Sequence, residues 1–216
     1  MRLGDVAILY VSPEQLRNRS LRGVLHSREI GCWVFDEAHC LSHFQVELGQ
    51  SLDLFKVGVG RDNLRFEVRL VDAPSKLATV ATLLREALGP AGGMVRPGSA
   101  IVYFATRSAT VEAAEYLCNE GLLAEPFHAG LDAPLKQFIQ EAFLAGAVPI
   151  TFATNAFGMG IDKPDVRLVV HADVPGTLEN YLQEAGRAGR DRREAHCVLL
   201  YAAPDVEKQF RLLARA

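Results

Sequence analysis

Residues 100 to 153 read AIVYFATRSATVEAAEYLCNEGLLAEPFHAGLDAPLKQFIQEAFLAGAVPITFA, and their alternation decides the fold. The short apolar runs Ala100 to Phe104, Ala124 to His128 and Ile150 to Ala153 predict strands. Between them, Ser108 to Asn119 and Ala133 to Leu144 carry apolar residues at helical spacing. Strands separated by helices of about 10–15 residues imply right-handed βαβ crossovers, hence a parallel sheet with helices on its faces. The pattern continues outward, with strands expected at Arg65 to Val71, Leu168 to His171 and Cys197 to Tyr201. Helices are expected at Pro74 to Leu88, Thr177 to Glu184 and Pro204 to Ala214. Toward the N-terminus, Val6 to Val11 and Cys32 to Phe35 predict two more strands, Pro13 opens a helix, and the turn-rich KVGVGRDN reads as a joint. The expected organisation is a partial α/β lobe over 1–44, a joint over 45–62 and a nearly complete lobe over 63–216.

Composition fits a globular chain. At 216 residues with 49% hydrophobic content there is ample core for one large or two small domains. A net charge of −3 argues against a dominant basic surface but leaves room for a local groove of donors. Cys32, Cys40, Cys118 and Cys197 are far apart with no C-x-x-C, so neither a zinc site nor a disulfide framework is expected. Cys32 and Cys197 lie in apolar runs and read as buried thiols, and Trp33, in mid-strand, reads as core. No run of 18 apolar residues exists, and the N-terminus reads as strand and turn, so a cytoplasmic protein with no membrane contact is expected.

Two motifs carry chemistry. QEAGRAGR, Gln183 to Arg190, follows the glycine-punctuated FATNAFGMG of Phe152 to Gly160. On a helix, Arg187 and Arg190 would share one face, and Gly186 and Gly189 would leave room for a ligand or facing domain. A guanidinium forks onto phosphate oxygens and, aimed at a transferring phosphoryl group, is worth about three to five orders of magnitude in turnover. A solvated basic helix start reads equally well from GRAGR alone. The apolar run GCWVF stops at Asp36 and Glu37, giving DEAH at what would be the carboxyl end of a strand. There Asp36 could hold a hydrated Mg²⁺ and Glu37 orient the attacking water, or Asp36 could merely cap a helix.

Taken together, LYVSPEQL (Leu9 to Leu16), DEAHCLSH (Asp36 to His43), FHAGL (Phe127 to Leu131), ATNAFGMGIDKPDVRLVVH (Ala153 to His171) and YLQEAGRAGRD (Tyr181 to Asp191) resemble the RecQ family of superfamily 2 DNA helicases. The resemblance implies a RecA-like fold of the P-loop NTPase type with the second lobe nearly complete and the first partial. It also implies ATP and Mg²⁺ as cofactors, single-stranded or forked DNA as partner, and ATP-driven 3′-to-5′ unwinding in recombination and repair. Arg187 and Arg190 would then be fingers, Gln183 would bond phosphate or the acidic box, and Gly158 and Asp162 would face the nucleotide, Asp162 at its sugar or at the arginines. DNA backbone contacts are implied at Arg107, Ser108, His128, Thr154 and Asn155. Capping alone also explains Ser108, and a structural role explains His128.

The departures are specific. No G-x-x-x-x-G-K-[ST] phosphate loop exists, and GPAGGMVRPG, Gly89 to Gly98, has no lysine. After His43 the family continues with an aromatic loop and a Thr-Ala-Thr box, whereas Phe44 passes directly into QVELGQSLDLFKVGV. The expectation is a chain lacking the beginning and several tens of residues from the middle of its first lobe, inactive alone, with a complementary helicase lobe as a partner. The alternative is a non-catalytic nucleic-acid-binding or interaction module.

Overall fold

The computed structural model describes residues 8–12, 15, 18–32, 60–89, 98–158 and 160–214. The chain divides into two compact units, Met1–Val59 and Gly60–Ala216.

Among the described residues of the first unit, helix α1 (Arg19–His26) starts where Asn18 caps it, its Oδ1 accepting from Ser20 N at 2.9 Å and Leu21 N at 3.3 Å. Those two N–H groups have no partner within the helix, which is why the start falls at an asparagine. Pro13 lies outside the described residues. The strand expected from Val6 is not found in its described part: Ile8 to Val11 belong to no strand, and Ile8 and Tyr10 are 71% and 90% exposed. An apolar run becomes a strand only when a neighbour takes its backbone donors and acceptors. Cys32 is exposed, contrary to its apolar setting. Trp33, Asp36 and Glu37 lie outside the described residues.

The second unit has the expected parallel α/β architecture. Its elements in order are β1 (Leu64–Leu70), a short 3-10 turn (Ala73–Ser75) leading into α2 (Lys76–Leu88), β2 (Ser99–Tyr103), α3 (Arg107–Asn119), β3 (Ala124–Phe127), α4 (Ala133–Ala145), β4 (Ile150–Ala153), β5 (Val166–His171), α5 (Leu178–Ala185), β6 (Ala195–Tyr201) and α6 (Pro204–Leu213). The six strands lie in the order β1-β6-β5-β2-β4-β3, all pairs parallel. Central β2 is buried along its whole length, so it reads as a continuous apolar run.

Alternate residues feed two cores. Ala100 and Val102 face α2 and α3, where Val80, Leu84, Ala113 and Leu117 pack with Phe152 and Leu200. Ile101 and Tyr103 face the other layer, with Ile139 and Phe143 of α4, Ala185 of α5, and Phe157. Phe157 is fully buried, edge-on to Phe127 at 4.8 Å and to Phe143 at 5.4 Å between ring centroids. Buried charges tie helix ends together. Lys76 Nζ donates to Ala172 O at 2.6 Å and pairs with Asp205 at 2.7 Å, while Lys208 pairs with Asp173 at 2.8 Å. Burial pushes the Asp173 carboxyl up, but the Ala105 N–H and Lys208 outweigh it and hold it below its ordinary range.

β1 ends the sheet. It pairs only with β6 among the described strands and leaves Phe66, Val68 and Leu70 50%, 67% and 78% exposed.

Candidate functional site

Arg187 and Arg190 do not share a helix face. α5 ends at Ala185, and both arginines sit in the turn that leads into β6. Arg187 Nη1 donates to Gly158 O at 2.6 Å. Gly158 has φ +157°, and a Cβ there would fall within the Arg187 guanidinium, so the side chain's seat exists because that residue is glycine. The preceding carbonyl, Phe157 O, accepts from Tyr103 Oη at 3.2 Å, so the loop after β4 is fixed from below. Arg190 Nη1 pairs with Asp162 Oδ1 at 2.7 Å; the two side chains are 35% and 86% exposed. An ion pair that exposed is worth at most about 1 kcal/mol, so Arg190 is readily released to a stronger anion.

The two other glycines of the motif serve the chain itself and not a ligand. A Cβ on Gly186 would meet Leu182 O at 2.9 Å, and one on Gly189, at φ +55°, would meet Asn63 Nδ2 at 2.5 Å and Arg193 O at 2.8 Å. Beneath the turn, His171 Nε2 and Glu184 Oε2 lie 2.9 Å apart, both buried, with Tyr103 and Tyr181 rings at 5.3 and 4.8 Å from the imidazole. Gln183 is exposed beside them on the last turn of α5. Tyr103, His171 and Glu184 carry no sequence signal of their own, because each acts through a partner on a distant element. Burial raises the Tyr103 hydroxyl and pushes the Cys197 thiol up to about 12, so both stay protonated at neutral pH.

A second group gathers at the carboxyl ends of the neighbouring strands β2, β4 and β3. Arg107 is the first residue of α3, exposed, with Ser108 beside it. The cap is not Ser108 but Thr106, whose Oγ1 accepts from Ala109 N at 3.3 Å, which leaves the Ser108 hydroxyl on the surface. A Cβ on Gly130 would lie 3.0 Å from Arg107 Nη1 and 3.2 Å from His128 Nδ1, so these two side chains converge on that glycine. His128 Nδ1 is buried with no hydrogen-bond partner. Lys136, missed in the sequence, reaches into the same loop, its Nζ donating to Ala129 O at 2.8 Å. Thr154 is buried at the end of β4, with Asn155 exposed next to it. This group sits at the carboxyl ends of its strands, whereas the arginine turn leads into β6 at its amino end; the loop from Thr154 to Gly158, on which Arg187 is seated, connects to both.

Among the described residues no cluster of three or more His, Cys, Asp or Glu side chains could hold a metal, and no helix is long and apolar enough to cross a membrane.

Residues 76–192 match the family described as helicase conserved C-terminal domain. The chain is 33% identical over 249 aligned positions to an "ATP-dependent DNA helicase RecQ" of Pasteurella multocida, covering 97% of the chain and 38% of that relative. It is 31% identical to a "RecQ-like DNA helicase BLM" of Xenopus laevis, covering 96% of the chain and 18% of the relative. The chain thus spans well under half the length of these relatives. In the Pasteurella alignment, 97% of 216 residues is about 210, so at least about 39 of the 249 positions have no counterpart here. Among solved structures, yeast Dbp5 bound to RNA and ADP BeF3 superposes with a TM-score of 0.66 at 18% identity, over 94% of this chain and 54% of that one. The Escherichia coli DEAD-box protein SrmB superposes with a TM-score of 0.55 at 25% identity, over 65% and 78%.

Proposed function

We propose, for a chain that belongs to the RecQ family of helicases and carries the conserved helicase C-terminal domain, that its second unit is the arginine-supplying lobe of an ATP-dependent, 3′-to-5′ DNA helicase of recombination and repair. The observation that carries this is the seated arginine turn: Arg187 held on Gly158, and Arg190 paired, among the described residues, with an exposed carboxylate. The residues suit a nucleotide's phosphates. Arg187 Nε is buried without a partner, and guanidinium donors match phosphate oxygens. In a complete two-lobe helicase, Mg·ATP would supply the transferable phosphoryl group, and a phosphate loop that this sequence lacks would hold it together with Asp36 of the DEAH box. Glu37 would orient water there, Arg187 and Arg190 would meet the charge that develops, and Gln183 and Asp162 would line the approach. Arg107, Ser108, His128, Thr154 and Asn155, joined by Lys136, grip the backbone of single-stranded or forked DNA. A cytoplasmic setting agrees with this reading.

Two observations favour a restricted activity. The sequence has no lysine in a phosphate-loop frame, and the relatives carry aligned positions that this chain lacks. Positioning is most of phosphoryl-transfer catalysis, so this chain alone is expected to release no phosphate from ATP above background, with or without DNA. DNA-stimulated release that Glu37→Gln abolishes would overturn that expectation. A second reading follows from the same observations: a non-catalytic module that binds nucleic acid or lends its arginines to a complementary lobe.

The helicase reading, and the module reading in its nucleic-acid-binding form, require the β2–β4–β3 end to contact phosphates. Titration of labelled single-stranded DNA at several salt concentrations tests this. Arg107→Ala is expected to weaken binding for all sequences alike and to lower the slope of log affinity against log salt by about 0.7. An unchanged slope would remove Arg107 from the interface.

A further inference from the structure

We infer that Arg61 and Asn63, the residues with which the chain enters its second unit, are positioning residues that clamp the arginine turn and set where Arg187 and Arg190 reach. This rests on the reading of those arginines given above. Arg61 Nη1 donates to Gly186 O at 3.2 Å, and its Nη2 donates to Ala188 O. Asn63 Nδ2 donates to Gly189 O and to Arg193 O, each at 2.8 Å. Both side chains thus spend their donors on backbone carbonyls of one turn, far away in sequence and directly flanking the two arginines. Arg192 Nη1 returns a bond to Gly60 O at 3.2 Å.

Stitching β1 to β6 does not explain this. Those strands already pair along their full length, from Leu64 opposite Ala195 to Leu70 opposite Tyr201, by their own backbone ladder. The clamp also leaves polar atoms unserved: Arg61 Nε and Asn63 Oδ1 are buried without partners. The turn itself needs holding. Arg192 has φ +65°, a left-handed conformation that costs a side-chain-bearing residue energy and persists only where surrounding contacts over-determine it. From the other side, Gly189 N donates to Val166 O at 2.9 Å and Asp191 N to Pro164 O at 3.2 Å. The turn is fastened through its amides to the start of β5 and through its carbonyls to Arg61 and Asn63. Release of the second set leaves the turn held by its amides alone, with the Arg187 side chain still on Gly158 O.

Amide exchange and arginine side-chain NMR of the full chain test the clamp without requiring activity. In Arg61→Met and Asn63→Ala, the amides of Arg187, Ala188, Gly189 and Asp191 are expected to exchange roughly tenfold faster, while the sheet-end amides of Phe104 and Ala172 keep their rates. The side-chain N–H signal of Arg187 that reports its bond to Gly158 is expected to shift toward that of a solvated guanidinium. Arg61→Lys, which keeps one donor, should recover part of both effects. In the lobe mixture described in the Discussion, both variants should lower kcat several-fold with KM for ATP unchanged. Unaltered exchange in the turn, or equal acceleration of turn and sheet, would overturn the inference. A loosened turn with the Arg187 signal displaced but hydrolysis intact would leave the clamp standing and remove the arginines from phosphoryl transfer.

Discussion

Arg190→Ala is expected to lower by about three orders of magnitude the DNA-stimulated ATP hydrolysis obtained when this chain is mixed with a separately made RecQ-type first lobe that carries a phosphate loop. Arg187→Ala should lower it by about two to three orders. The geometry gives the two residues different parts. Among the described residues Arg190 is tethered to exposed Asp162 and can leave it at small cost, whereas Arg187 is already committed to Gly158 O at 2.6 Å and acts from a fixed seat. Because the lobes are not joined, the effective concentration is low and the assay needs high protein concentrations. Hydrolysis in the mixture that ignores both substitutions would mean that the arginines are a solvated turn and nothing more. Asp162→Asn serves as the companion variant, since it frees Arg190 without removing it and so separates loss of the arginine from loss of its carboxylate partner.

The largest expected effect on stability is at Phe157. Phe157→Ala should destabilise the second unit by about 3–5 kcal/mol, a large fraction of the 5–15 kcal/mol typical of a domain. The ring is fully buried and wedged edge-on between Phe127 and Phe143, so its removal leaves a cavity that three elements cannot easily close. Urea unfolding followed by tyrosine fluorescence measures it; Phe157→Leu should recover more than half of the loss. A shift below about 1 kcal/mol would show that the loop after β4 is not anchored by this ring. The position matters for the site as well. Phe157 O takes the Tyr103 hydroxyl and its neighbour Gly158 O takes Arg187, so the same variant should blunt hydrolysis in the lobe mixture even at temperatures where the chain stays folded.

The second unit was legible because its elements are set by local pattern. Ala100 to Tyr103 could only be a buried strand, and Asp132 ahead of Ala133-Pro134 could only start a helix, its carboxylate accepting from Leu135 N at 2.8 Å. The motif text singled out the two arginines but misread their geometry: three-residue spacing suggested a helix face, whereas α5 ends at Ala185, before either arginine is reached. What the sequence hid was everything fixed by pairs far apart. His171 with Glu184, Tyr103 with Phe157, and Arg61 and Asn63 with the turn are contacts between elements, and no periodicity announces them. The strand expected from Val6 to Val11 failed, in its described part, for the opposite reason. Ile8 to Val11 have the composition of a strand, but composition supplies no neighbouring backbone to bond.

The outer strand β1 has a consequence for how the protein behaves in a crowded solution. Among the described strands none pairs with its outer side, which leaves a row of backbone donors and acceptors there, and Phe66, Val68 and Leu70 are exposed on the strand. Such a rim is a template on which any extended chain, including another copy's, can be added strand by strand. Arg65, Glu67 and Arg69 interrupt the apolar residues at every second position, and charges of that kind act as gatekeepers against stacking. Glu67, though, is paired with Arg69 two residues on, so those two charges largely cancel within the strand. The guard against association along this rim therefore rests mainly on Arg65.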